Sequence, residues 1–312
     1  MPEISIIIPC RNEEKYIARC LDSLFEQDYL KEKMEILAVD GMSEDKTKEI
    51  LESYRNKYPF LAILENEKKI KPVALNIGIR KAKGEIVIIA DAHAFYEKDY
   101  VSKSVKYLKE YKADNVGGII KTIPAKDNLV ARAITICLSH PFGVGGSYFR
   151  VGSERFRWVD TVFGGCYRKE VFDRIGFFNE NLVRSQDLEL NLRLRKAGGK
   201  ILLASDIVSY YYPKSEIKDF FVHNLKDGFW AIYPLKFTKI SFRPRHYLPL
   251  AFILTLPFSF WFYLPVLLYF SADVAFSQKE AGYFFLMPIA FASRHVGYGL
   301  GSLWGLLKLV FS

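Results

Sequence analysis

Short apolar runs that stop at polar residues, with amphipathic helix patterns between them, leave few folds open to this chain. Ile4–Ile8 stops at Pro9, Ile36–Val39 at Asp40-Gly41, and Ile86–Ala90 at Asp91. Each reads as a buried strand. Between them, Glu14–Asp28 sets Tyr16, Ile17, Cys20, Leu21, Leu24 and Phe25 in one helical stripe. Lys46–Tyr58 does the same with Thr47, Ile50, Leu51 and Tyr54. Ala62–Leu64 is a weaker strand, and Pro72 opens a helix to Lys83, because proline is tolerated in a first turn. Asp99–Glu110 reads as a helix and Val116–Ile120 as a strand. The order predicts an α/β fold, a mostly parallel sheet with helices on both faces. Ligands of such sheets bind beyond the carboxyl ends of the strands. The loops Pro9–Glu13, Asp40–Ser43 and Asp91–His93 are therefore expected to share one rim, although ordinary polar strand ends would look the same.

After Pro124 the alternation weakens. His140–Gly152 is rich in Gly and Ser and reads as loop, and Thr161–Tyr167 as a strand holding Gly164-Gly165. Gln186–Lys196 has helical register and Ile201–Ala204 follows as a strand. With 50% hydrophobic and 25% charged residues among 312, the chain buries a sizeable core, which excludes global disorder. The formal charge of +9 suits an anionic partner: nucleic acid, acidic lipid or a phosphorylated small molecule. Base-stacking and RNA-binding signatures are missing, so nucleic acid is not the expected partner. Four cysteines without C-x-x-C spacing argue against a zinc site and against a disulfide framework, which suits a reducing compartment. Met1-Pro2-Glu3 has no basic region and its apolar run is short, so no signal peptide is expected and the polar part should face the cytosol.

The tail differs. From Gly228 to Ala272 there is no Asp or Glu; Lys236, Lys239, Arg243 and Arg245 precede an apolar stretch, His246–Phe270, that holds Pro249, Pro257 and Pro265. Its length is near the roughly 20 residues that cross a bilayer, and basic flanks favour the cytoplasmic side. Ala281–Phe311 is also long enough but carries Arg294 and His295 in its middle. Gly297, Gly301 and Gly305 form the small-residue face by which two membrane helices approach each other. A buried hairpin of a soluble domain is the competing reading.

Individual residues suggest chemistry. A carboxylate and an imidazole at Asp91 and His93 can reach one divalent cation, Mn2+ or Mg2+, and leave positions for phosphate oxygens; a solvated loop would look alike. Asp40 can accept hydrogen bonds from a base or ribose. Arg11, Asn12 and Glu13 cluster at the first strand's exit, and Lys71 with Asn76 can meet a diphosphate or base. Asp187 stands at a helix N-terminus, which favours the anion, and fits either a general base or a capping acid.

Taken in order, the motifs resemble those of the family 2 glycosyltransferases over roughly Ile4 to Trp230. Ser5-Ile6-Ile7-Ile8-Pro9-Cys10-Arg11-Asn12-Glu13 is similar to the family's opening strand and donor loop. Ala38 to Thr47 resembles its Val-Asp-Asp-Gly-Ser-x-Asp-x-Thr stretch, and Leu75-Asn76-Ile77-Gly78 with Ala82-Lys83-Gly84-Glu85 its Asn-x-Gly…Ala-x-Gly-Glu segment. Asp91-Ala92-His93 stands at the Asp-x-Asp metal motif, with His93 in place of the second Asp. Phe163-Gly164-Gly165-Cys166 and Gly176 to Glu180 resemble the acceptor-side region. Gln186-Asp187-Leu188-Glu189 with Arg193 resembles the motif carrying the base, Gln186 replacing its usual acid. The Asp-Ala-His version and the glycine-rich tail look most like the succinoglycan-type branch, which builds lipid-linked polysaccharide precursors.

The resemblance implies a GT-A fold over residues 1–230, with a nucleotide-binding half at 1–123 and an acceptor half at 124–230, followed by a membrane-associated tail at 231–312. It implies inverting transfer of one sugar from a nucleotide-diphosphate sugar, a UDP-sugar favoured, to a glycan or lipid-linked acceptor. Pro9, Arg11, Asn12, Glu13, Asp40, Lys71, Asn76, Asp91 and Gly165 would bind the donor. Asp91 and His93 would hold Mn2+ or Mg2+, and Asp187 would be the base. The expected location is the cytoplasmic face of the cell membrane, held there by membrane lipids. A nucleotidyltransferase and a non-catalytic membrane scaffold are the alternatives; the first would usually show glycine in the loop after the first strand, and Pro9–Glu13 has none.

Overall fold

The computed structural model describes residues 1–238 and 244–311. In chain order the elements are β1 (Ile4–Cys10), α1 (Ile17–Phe25), β2 (Met34–Asp40), α2 (Thr47–Arg55), β3 (Leu61–Glu65), α3 (Lys71–Lys81), β4 (Ile86–Ile89), β5 (Ala94–Tyr96), α4 (Tyr100–Glu110) and β6 (Asn115–Thr122). Then come α5 (Leu129–Ser139), α6 (Pro141–Val144), α7 (Tyr148–Val151), β7 (Arg157–Trp158), β8 (Cys166–Arg168), α8 (Glu170–Ile175), α9 (Gln186–Lys196) and β9 (Ile201–Tyr211). The chain ends in α10 (Ile217–Ile232), α11 (Leu248–Ser277) and α12 (Gly282–Val310).

These elements form two compact units. One is Met1–Lys121 with Gly152–Tyr211; the other is Thr122–Val151 with Tyr212–Ser312. This division differs from the expected boundary at residue 230: α5 to α7 belong with the tail. The reason is apolar packing, since Ala133, Ile134 and Cys137 of α5 share a core with Leu267, Met287 and Phe291.

The first unit is a nine-stranded sheet in the order β3-β2-β1-β4-β8-β6-β9-β5, with β7 on β9. The first four strands are parallel, as expected. Beyond β4 the sheet turns antiparallel at β4–β8, β6–β8, β5–β9 and β7–β9. β1 is buried along its whole length, and Ile17, Cys20, Leu21, Leu24 and Phe25 of α1 are the buried stripe that covers one face. Pro9 fits a central strand for a geometric reason. Ile7 accepts from Ala90 N–H, so Pro9, two residues on, faces the same side, where β4 has already ended, and its missing N–H costs no ladder bond.

One expected strand is much shorter. Thr161–Gly165 is irregular and only Cys166–Arg168 pairs. Gly164 and Gly165 have φ of +62° and +112°, which a strand does not accommodate.

The second unit is helical. Pro257 and Pro265 lie inside a continuous α11, and Pro288 inside α12. The small-residue face of α12 meets α10. A Cβ at Gly301 would fall 1.9 Å from the Leu225 carbonyl of α10, and one at Gly305 2.7 Å from that of Phe229. Gly299 is the glycine that admits α11, at Ile253. Of the expected basic stretch, Lys239 and Arg243 lie outside the described residues.

Candidate active site

Asp40 closes β2 opposite Cys10, the last residue of β1, and Asp91 follows the end of β4 on the other side of β1. Both carboxylates therefore stand on the carboxyl edge of the parallel strands. Asp40 is buried, 2% exposed, and accepts from the Ser43 hydroxyl at 2.5 Å and from Ser43 N–H at 3.1 Å. That Asx turn holds Met42 at φ +57°.

The loops after β1 and β2 are laced together. Asn12, itself at φ +55°, donates its N–H to Ser43 Oγ at 2.9 Å and accepts from Glu44 N–H at 2.9 Å. Glu13 N–H reaches Thr47 Oγ1 at 2.7 Å. Arg11 lies over Gly41, where a Cβ would meet its own at 3.1 Å, and is 3.6 Å from Glu44. Arg11 and Glu13 are thus presented at the rim, while Asn12 braces it.

The centre of the site is Lys71, the first residue of α3. Its ammonium donates to Asp91 Oδ1 at 2.8 Å and feels the Asp187 charge as well. Burial pushes the Lys71 pKa down, but the carboxylates of Asp91 and Asp187 outweigh it and hold the group cationic. Burial alone would raise the Asp91 pKa; Lys71 and His93 overcome that and keep it below the ordinary range. Asp91 is further fixed by its N–H to the Tyr96 hydroxyl at 2.7 Å. His93 Nδ1 lies 3.2 Å from Glu13 Oε1, and its ring is 5.2 Å from that of Tyr211. Burial lowers the His93 pKa, but Glu13 and Asp91 together raise it. Asp187, in the first turn of α9, goes the other way: burial raises its pKa, and Lys71 and Leu188 N–H offset this only in part.

The donor atoms here are carboxylate oxygens of Asp91 and Glu13 and the imidazole of His93, a set that suits Mn2+, with Mg2+ less tolerant of nitrogen. Among the described residues no group of three His, Cys, Asp or Glu side chains converges to hold an ion by itself. A cation held by Asp91 and His93 would need further donors from outside these side chains.

Three expected donor contacts, Asn76, Gly165 and Pro9, are taken up by the fold. Asn76 is 1% exposed, and its amide bonds the Phe178 carbonyl at 2.9 Å, Glu180 Oε1 at 3.1 Å and Phe178 N–H at 2.9 Å. It bolts the segment before α9 onto α3 rather than facing a ligand. Gly165 is buried and packs so closely that a Cβ would lie 2.6 Å from Asn115 Oδ1; its carbonyl accepts from Ile89 N–H at 2.9 Å. Pro9 is likewise buried in β1. Asn76→Ala is expected to destabilise the fold by about 2–3 kcal/mol, because it strips buried groups of their partners. A lowered thermal midpoint with donor affinity nearly retained is the result to look for.

Sequence reasoning missed the network under Asp187. Asn191, one turn further along α9, accepts from Asn115 Nδ2 and from the Tyr167 hydroxyl, each at 3.0 Å, and donates to Thr161 at 3.0 Å. Arg193 grips Glu189 at 2.8 Å and the Phe177 carbonyl at 2.7 Å. Together they fix the helix that carries Asp187. Asn191, four residues after Asp187 and so on the same face of α9, was a usable signal; Thr161 and Asn115 were not, being remote in sequence.

Known proteins resemble this chain in sequence and in fold. Residues 5–176 match the family model described as glycosyl transferase family 2. The chain is 38% identical over 232 residues to a dolichyl N-acetyl-alpha-D-glucosaminyl phosphate 3-beta-D-2,3-diacetamido-2,3-dideoxy-beta-D-glucuronosyltransferase of Methanococcus voltae, covering 72% of this chain and 71% of that one. It is 27% identical over 254 residues to the succinoglycan biosynthesis protein ExoA of Rhizobium meliloti, covering 76% of each. A solved structure, the mannosyltransferase PcManGT of Pyrobaculum calidifontis in complex with GDP-Man and Mn2+, superposes with a TM-score of 0.67 at 20% identity, over 97% of this chain and 87% of that one.

Proposed function

Because this chain belongs to glycosyl transferase family 2 and has the GT-A fold, we propose that it moves one sugar from a nucleotide-diphosphate donor, with inversion, to a hydroxyl of a glycan or lipid-linked acceptor. The observation that carries this reading is the Asp91–Lys71–Asp187 cluster on the carboxyl edge of the sheet. In this reading Asp91 is the acid that would bind the cation, Lys71 the ammonium that would meet the diphosphate, and Asp187 the base.

In this reading Asp40 and the rim formed by Arg11 and Glu13 hold the nucleoside. Lys71 meets the diphosphate. Asp91 and His93 hold Mn2+ or Mg2+; when bound, the ion offsets the charge that builds on the leaving diphosphate. Asp187 takes the proton of the acceptor hydroxyl while the oxygen attacks the anomeric carbon from the far side. The bond from that carbon to the diphosphate breaks, its electron pair leaves with the nucleotide, and the transition state has oxocarbenium character. Burial raises the pKa of Asp187 while Lys71 and His93 lower that of Asp91, so Asp187 is the stronger base of these two carboxylates.

The lipid-linked acceptor is supported by the name of the Methanococcus voltae relative, whose acceptor is dolichyl-linked. It is supported further by α11, long and apolar enough to cross a membrane by length and composition. We place the catalytic unit on the cytoplasmic face of the cell membrane. The test is a donor panel of UDP-, GDP- and dTDP-sugars with Mn2+ and a polyprenyl-phosphate-linked sugar acceptor, the UDP-sugar favoured. An NMR-assigned product of opposite anomeric configuration is expected. A product of retained configuration, or release of nucleotide without transfer, would overturn the reading. Lys71→Met is expected to weaken nucleotide-diphosphate binding by at least tenfold in calorimetry, with much less effect on the nucleoside alone.

A further inference from the structure

The helical unit is layered, and its layers have opposite chemistry. On α12, Gly297, Gly301 and Gly305 face α10, whereas Gly299 faces α11 at Ile253. At 100° per residue, positions 297 and 299 lie about 200° apart, so α10 and α11 occupy opposite sides of α12. α5 packs on α12 nearer its start, where the Ala290 carbonyl accepts from Cys137 Sγ at 3.6 Å. α12 thus lies between α11 and α10, while α5 shares a core with both α11 and α12 and reaches α11 at its end, where the His140 ring is 5.4 Å from that of Phe270.

The outer face of α11 is exposed and aromatic: Phe258 is 82%, Trp261 74% and Phe262 79% exposed, with Leu254, Leu268 and Tyr269 on the same helix also open. The opposite side, α10, exposes charge at Lys218, Asp219 and Lys226. These charges stand alongside the stack rather than beyond its ends. Leu225, beside Lys226, meets Gly301, and Phe221, beside Val222, meets Gly297, the same stretch of α12 that α11 covers from Pro249 and Ile253. If α11 crossed a bilayer, α10 would enter the hydrocarbon at the same depth and carry Lys218, Asp219 and Lys226 with it, which is strongly disfavoured.

We propose that α11 is an in-plane anchor. It lies along one leaflet of an anionic bilayer, with its aromatic face among headgroups and upper acyl chains and α10 facing water. Trp and Tyr favour that zone. Lys236 and Arg245, which flank the approach to α11 in a stretch without acids, draw it to anionic headgroups. The inference rests on the membrane-association part of the proposed function.

Leu254, Trp261 and Leu268 are exposed and seven residues apart, spanning about 21 Å of helix axis. All four native cysteines are buried. Nitroxide-labelled Leu254→Cys, Trp261→Cys and Leu268→Cys proteins, bound to phosphatidylcholine–phosphatidylglycerol vesicles, give their depths by oxygen and nickel accessibility in EPR. Equal, shallow depths at all three are expected. Depths that progress through the bilayer centre would overturn the in-plane anchor while leaving membrane association intact. Aqueous accessibility at all three would remove both. As a second readout, Gln278→Cys in the α11–α12 turn should react with an impermeant maleimide from the same side of sealed vesicles as Glu49→Cys on α2. Reaction from opposite sides would contradict the proposal.

Discussion

Asp187→Asn is expected to lower kcat by roughly 10²–10⁴-fold, the range that loss of a general base covers, with the dissociation constant of the nucleotide sugar nearly unchanged. The substitution is close to isosteric and the Leu188 N–H that bonds Asp187 Oδ1 at 2.8 Å keeps an acceptor, so the helix start should survive. The pH dependence makes the expectation specific. Only the ionised carboxylate accepts a proton, so activity is full above the folded pKa of Asp187 and falls as pH drops through it. Burial raises that pKa above the ordinary 3.8. The acid limb of kcat/KM should therefore sit above that value, and the residual activity of the Asn variant should lack it. Transfer by Asp187→Asn at the parent rate would remove the base assignment.

The second large effect concerns the cation. Chelation with EDTA is expected to abolish turnover, with Mn2+ restoring it more effectively than Mg2+ because His93 brings a nitrogen donor. Asp91→Asn should cost on the order of 10²–10³-fold in kcat/KM, comparable to removing one preorganised electrostatic group. That variant also leaves the Lys71 ammonium without its partner at 2.8 Å, a buried unpaired charge that lowers stability. Chelation separates the two effects, because it removes the ion without altering the protein. Full activity in chelator would take Asp91 and His93 out of the metal role.

Much of the fold was legible because apolar period is a local property. The stripe of α1 and the buried runs of β1, β2 and β4 follow directly from residue spacing. Thr161–Gly165 misled for the same reason: its composition suits a strand, but backbone contacts put Gly164 and Gly165 at positive φ. α5 was missed although Asn128 caps it, accepting from Ala131 N–H at 2.8 Å; Asn before an apolar run was a usable start signal. The antiparallel half of the sheet and the discontinuous units depend on long-range pairing that no local pattern encodes.

The site divides likewise. Asp40, Asp91 and Asp187 were each marked by position, at a strand end or a helix start. The role of Lys71 was only half visible, since its tie to Asp91 and Asp187 is a property of folding three remote segments together. Asn76 shows the converse. Its motif drew attention, but its amide is occupied by Phe178 and Glu180, so a residue can mark the site by holding the wall rather than touching the ligand.

The central claim is that Asp91 and Asp187 act on opposite sides of one activated sugar. A crystal structure with Mn2+ and a non-hydrolysable nucleotide sugar tests it most directly. The expected result has Asp91 on the ion, Lys71 on the diphosphate, and Asp187 facing the anomeric carbon from the side away from the leaving group, with space for a hydroxyl between. A sugar bound with its anomeric carbon turned from Asp187, or a nucleotide lodged away from Asp40 and Asp91, would contradict it.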